Sequence, residues 1–152
     1  MAETLASKLL KLDRNKLAEV PTVTIKAKRL SKVMGEDTFV TLKALPGDLY
    51  MDISERSQEK NGHVSTSKAY DSQALIVAYG CIDPDLKNKE LQEYFQAPTA
   101  KDLAKVFFPG GELSYLANKI AVLSGFLKPE DIGDEPEPEN KNTGLDYDSV
   151  KN

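Results

Sequence analysis

"KAYDSQALIVAYGCI", residues 68–82, decides the architecture of this chain. After Gln73 every residue is apolar or glycine. The run is long enough for a helix and shows no polar stripe, so it predicts a central, buried helix over about 69–82. Its one cysteine, Cys81, has no second cysteine to pair with. It reads as a small buried hydrophobe of a reducing compartment.

The next question is what packs against that helix. Residues 106–126 read "VFFPGGELSYLANKIAVLSGF". Pro109, Gly110 and Gly111 stop the element before them, and a helix over about 112–124 follows. Leu113, Leu116, Ile120 and Leu123 recur at steps of three and four, and Gly125 suits the left-handed residue past a helix end. Phe126 is placed to fold back on Ile120 or Ala121. This seam is narrower than the face that a globular core usually needs. Leu116 and Ile120 are expected to pack on the 69–82 helix of the same chain. Leu113 and Leu123, with Phe107, Phe108 and Phe126 around the Gly-rich joint, are expected also to contact a neighbouring subunit. Phe107, Phe108, Leu113, Leu116, Ile120, Leu123 and Phe126 are therefore the candidate protein-interaction residues. Core and interface both stay open for them.

Upstream, "TVTIKAKR" alternates, with Val23, Ile25 and Ala27 on one side and Thr24, Lys26 and Lys28 on the other. "TFVTLKAL" places Val40, Leu42 and Ala44 on one side of a second strand. The two predict an antiparallel β-hairpin joined by a turn or single helical turn that Gly35 closes. Leu5, Leu9 and Leu12 share a helical face, so residues 3–12 predict a short amphipathic helix. Pro46 opens another, with Leu49, Tyr50 and Ile53 at helical spacing. Asp83 before Pro84 suits an N-cap and first helical position, and Leu86, Leu91, Tyr94 and Phe95 then form an apolar face. Thr99 with Asp102 resembles a capping box ahead of Leu103, Val106 and Phe107. The fold class is α+β and mainly helical: a small antiparallel hairpin with about five helices.

With 152 residues the chain is of one-domain size, here 1–128. Residues 129–152 hold eight Asp or Glu against two Lys, three prolines and two glycines. They are expected to be a disordered acidic tail. Leu145, Tyr147 and Val150 form a short apolar island within it. No apolar run approaches the ~20 residues of a membrane span. The N-terminus, acidic at Glu3, lacks the form of a secretory signal. A cytoplasmic protein is expected.

Chemistry is scarce. The one histidine, His63, sits in the polar loop "EKNGHVSTS" with no cysteine or second histidine beside it to share a metal. "PGGELS" lacks the Gly-Lys-Ser/Thr ending of a phosphate loop. Asp83 and Asp85 are better explained by capping than by acid–base work. No enzyme, cofactor or metal is expected. Lys26, Lys28, Arg29 and Lys32 suggest an alternative: a small nucleic-acid-binding regulator using a basic hairpin. That stretch lacks aromatics to stack on bases. Its lysines equally suit the wet face of an edge strand.

An ordered set of segments carries a family resemblance. "VTIKAKRLSKVMGEDTFVTLKAL", "YMDI", "ALIVAYGCIDPDLKNKELQEYF" and "FPGGELSYLANKIAVLSGF" resemble the XkdN-like family of phage tail assembly chaperones, over residues 20–126. The resemblance implies a non-enzymatic protein of a long-tailed phage or prophage. It would act in the host cytoplasm, binding the tape measure protein, keeping it soluble and helping tail-tube subunits assemble on it, and be absent from the mature virion. It further implies homo-oligomers. A programmed frameshift that appends a further domain is also implied, and a slippery run of A in the codons of Val150-Lys151-Asn152 would fit one.

Overall fold

The computed structural model describes residues 2–58 and 65–133. The loop with His63 and the acidic tail from residue 134 lie outside the described residues. In chain order, α1 (Leu5–Leu10) and α2 (Arg14–Ala18) precede β1 (Thr22–Lys26), α3 (Lys28–Met34) and β2 (Phe39–Lys43). Then come α4 (Gly47–Glu55), α5 (Thr66–Gly80), β3 (Cys81–Asp83), α6 (Lys89–Tyr94), α7 (Ala100–Phe107) and α8 (Gly111–Leu123). A 3-10 turn at Pro129–Asp131 ends the described chain. The class is α+β and mainly helical. The described residues hold eight α-helices rather than about five, and three strands rather than two.

The expected strand pair is present and antiparallel, with Val23 opposite Leu42 and Ile25 opposite Val40. Alternation set this register, since a one-residue slip would turn Val40 and Leu42, both fully buried, toward water. The connection is a full helix, α3, with Gly35 left-handed at its end. Ser31 locks this crossover. Its Oγ accepts from the Thr38 N–H at 2.8 Å and donates to the Thr38 carbonyl at 3.1 Å. The sheet order is β1-β2-β3, so β1, with Lys26 on its wet face, is an edge.

The third strand was hidden in the opening stretch. α5 stops at Gly80, and Cys81–Asp83 runs extended beside β2, Cys81 opposite Leu42, with a bulge between Thr41 and Leu42. Short apolar runs do not distinguish helix from strand by periodicity, so "GCI" looked like more helix. Two further expectations change. Asp83 ends a strand instead of capping a helix: Asn88 caps α6, accepting from the Leu91 N–H at 3.1 Å. And α5 is not buried all round, because Leu75 is only partly covered and Tyr79 is exposed.

The core lies where α7 and α8 pack on α5. The seam of α8 behaves as an intramolecular face: Leu113, Leu116 and Ile120 are buried against it. Burial of each such side chain contributes about 1.5–3 kcal/mol. Contact is tight at Gly80, where an added Cβ would stand 2.5 Å from Ile120 Cδ1. Polar pins fix the helices around this centre. Ser72 Oγ donates to the Ile53 carbonyl at 3.1 Å, tying α5 to α4. Ser114 Oγ donates to Gln73 Oε1 at 2.7 Å, tying α8 to α5. The ammonium of Lys105 on α7 holds Asp71 on α5, which keeps that carboxyl below the usual carboxylate range.

Candidate interaction surface

Each of the seven candidate residues has a definite place. Phe107, Phe108, Leu113, Leu116 and Ile120 are buried in the core of this chain. Leu123 is partly buried against the same core. Phe126 alone keeps substantial surface, 40% exposed. Gly125 takes φ +86° and the Phe126 N–H donates to the Ala121 carbonyl at 2.9 Å, so the chain folds back as expected. The Phe126 ring, however, stacks on Tyr50 of α4 at 4.3 Å, almost parallel. The same corner is held by Ser124, whose Oγ accepts from the Leu45 N–H at 2.9 Å.

An aromatic path that the sequence did not disclose links the core to solvent. Phe108 meets Phe107 edge to face at 6.1 Å, Phe107 meets Phe95 at 5.0 Å, and Phe95 meets Tyr94 at 5.0 Å. The inner end is fully buried and the outer ring, Tyr94, is 78% exposed. Val106 is also exposed, on the outer side of α7, where Arg29 Nη1 donates to its carbonyl at 3.1 Å. Sequence spacing groups Tyr94 and Phe95 with Leu86 and Leu91 on one apolar face, and Val106 with Leu103 and Phe107 on one stripe. Tyr94 ends α6, Phe95 follows it and Val106 lies on α7, and all three are exposed.

The N-terminal helices expose still more. Thr4 caps α1 and Asp13 caps α2, but neither helix has a buried residue. Leu5, Leu9, Leu10 and Leu17 face solvent, Leu10 at 88%. The predicted amphipathic helix exists, yet stops at Leu10, before Leu12.

The basic stretch forms a shallow concavity lined by Lys26, Lys28 and Lys32, but also by Glu36 and Asp37. Lys26 pairs with Asp37 at 3.0 Å, which cancels part of the positive field. Cys81 is buried, and burial, then the charges of Asp83 and Asp85, push its thiol up to about 12. Among the described residues no cluster of His, Cys, Asp and Glu could hold a metal ion. None of their helices is long and apolar enough to cross a membrane.

The model of the phage XkdN-like tail assembly chaperone family matches residues 7–138. That is wider than the 20–126 that the motifs suggested, and takes in part of α1. The crystal structure of the protein YqbN shares the fold at a TM-score of 0.54, with 22% identity over 72% of this chain and 88% of YqbN. No curated protein matches the chain. The chain belongs to the XkdN-like tail assembly chaperone family of phages.

Proposed function

We propose that this member of the family is a non-enzymatic chaperone for the tape measure protein of a phage or prophage tail. In this reading it acts in the host cytoplasm as a homo-oligomer. It keeps the tape measure soluble, helps tail-tube subunits assemble on it, and leaves before the virion is mature.

The observation that carries the reading, beyond family membership, is the exposed leucine surface of α1 and α2. Isolated helices shorter than ~12–15 residues are marginal in water. α1 has six residues and α2 five, and neither buries a side chain in the fold. Leu5, Leu9, Leu10 and Leu17 gain nothing from this position unless something else covers them. A long helical apolar client, or further copies of the chain, would supply that cover, and multivalent contact would strengthen weak single sites. Of the seven seam residues, Leu123 and Phe126 retain surface for such contact, and Tyr94 and Val106 extend it. Phe107, Phe108, Leu113, Leu116 and Ile120 support it from within.

Co-expression with the tape measure protein of the same genome tests this. The partner's soluble fraction should rise, and Leu9→Asp with Leu10→Asp should remove the gain without lowering the melting temperature. A tape measure that stays insoluble beside the intact chain would count against the function itself.

A nucleic-acid regulator is the weaker reading, because Glu36 and Asp37 share the basic concavity with its three lysines. A gel shift with a steep salt dependence would revive it.

A further inference from the structure

The open face of α5 is part of a second concavity, far from the leucines of α1 in sequence and different in chemistry. It has a volume of about 400 Å³ and is floored by Leu75, Tyr79 and Ala100. Arg56, Lys87 and Lys101 stand around it, and among the described residues no carboxylate lines it. Two of the three cations are partly engaged: Arg56 reaches Asp52 at 3.1 Å and Lys101 lies 4.0 Å from Asp71. The Lys87 ammonium lies over the Tyr79 ring at 4.8 Å and has no carboxylate within ion-pair distance among the described residues. An apolar floor inside a cationic rim selects a ligand with an apolar or aromatic body and adjacent negative charge.

The sequence contains such a ligand. Leu145-Asp146-Tyr147-Asp148 sets one aliphatic and one aromatic side chain beside two carboxylates. We infer that the concavity between α5 and the start of α7 is the docking site of residues 145–148 of the same chain. Reach is not limiting. The 12 residues from Gly133 to Leu145 span up to roughly 40 Å when extended. The folded part has a radius of gyration of about 14 Å for ~130 residues. Tethering also raises the effective concentration of the segment to the millimolar range, so an affinity of only about 1 mM suffices. The cationic rim and the two carboxylates of the segment, Asp146 and Asp148, complement each other.

The test uses the full chain, labelled with 15N and carrying a nitroxide at Ser149→Cys, with Cys81 left in place because it is buried. Amide signals of residues 75–79, 87 and 100–101 should broaden several-fold more than those of α3. The effect should shrink when the ionic strength is raised to about 0.5 M. It should vanish in Lys87→Glu/Lys101→Glu and persist in the control Lys28→Glu/Lys32→Glu, with the dispersion of the remaining signals reporting that each variant folds. Even broadening over the molecule, or selective broadening unchanged in Lys87→Glu/Lys101→Glu, overturns the inference. So does equal broadening when 15N protein without nitroxide is mixed with unlabelled spin-labelled protein, since the segment would then come from another copy.

Discussion

At the scale of single residues, two positions in the α5–β3 joint carry sharp consequences. Gly80 packs directly against Ile120 of α8. An alanine there would bring its Cβ to 2.5 Å from Ile120 Cδ1 and 3.0 Å from Cγ1. Overpacking of this kind costs about 1–3 kcal/mol, against up to about 1 kcal/mol gained from helix propensity. Gly80→Ala should therefore destabilise by about 1–2 kcal/mol in urea unfolding, and Ile120→Val in the same chain should recover part of the loss. Independent, additive effects would show that the two side chains do not compete for space. Next to it, Cys81 is buried with its thiol raised to about 12 by burial and by the nearby aspartates. A group raised above its ordinary value of 9.0 contributes stability below that pH, and the contribution is lost as pH rises from there toward about 12. Urea midpoints should fall over that range, less so in Cys81→Ala. At neutral pH the thiol should react with a disulfide reagent only as fast as the protein opens. Immediate stoichiometric reaction of the folded chain would contradict its burial.

At the scale of elements, punctuation was more legible than exposure. Thr99 and Asp102 were read as a cap, and the Thr99 Oγ1 accepts from the Asp102 N–H at 3.2 Å while donating to Asp102 Oδ2 at 2.8 Å. Because α7 is one of the two helices that pack on α5, Thr99→Ala should cost about 1 kcal/mol and show as a lowered melting temperature. An unchanged melt would mean that packing of Leu103 and Ala104 alone holds the helix start. The two paired strands, the helix after Pro46, the turn at Gly35 and the end of α8 at Gly125 were equally readable, since each shows in alternation, spacing or a breaker residue within a short window. β3 was not, because Cys81–Asp83 becomes a strand only when β2 lies beside it. The outward placement of Tyr94, Phe95 and Val106 was not readable for a related reason. A helical stripe says which residues share a face, and only the neighbouring element says whether that face is covered. The same limit applied to the α8 seam: a core role was expected at Leu116 and Ile120, core and interface both stayed open for Leu113, Phe107 and Phe108, and within this chain all five are buried. The Ser31–Thr38 lock left no pattern in the sequence at all, since a serine inside a helix is unremarkable until its partner strand is in place.

At the scale of the whole molecule, the division of labour between fold and contact surface can be tested by removing one without the other. The described core is built from β1 onward: every buried residue lies at Ala27 or beyond. α1 and α2 bury no residue, so their loss should take little hydrophobic stabilisation from the fold. Their leucines are nevertheless exposed, Leu5, Leu9, Leu10 and Leu17 together, and contiguous apolar patches mark places where another surface docks. Deleting residues 2–18 should consequently leave the thermal transition unchanged within error. It should also lower the concentration-dependent mass measured by light scattering toward that of a monomer. The two readouts separate the possibilities. A lowered transition temperature would show that the helices belong to the folding unit and that their exposure is not available for docking. An unchanged transition with undiminished association would move the contact to Tyr94, Val106 and Phe126, where single Asp substitutions would then have to dissolve it.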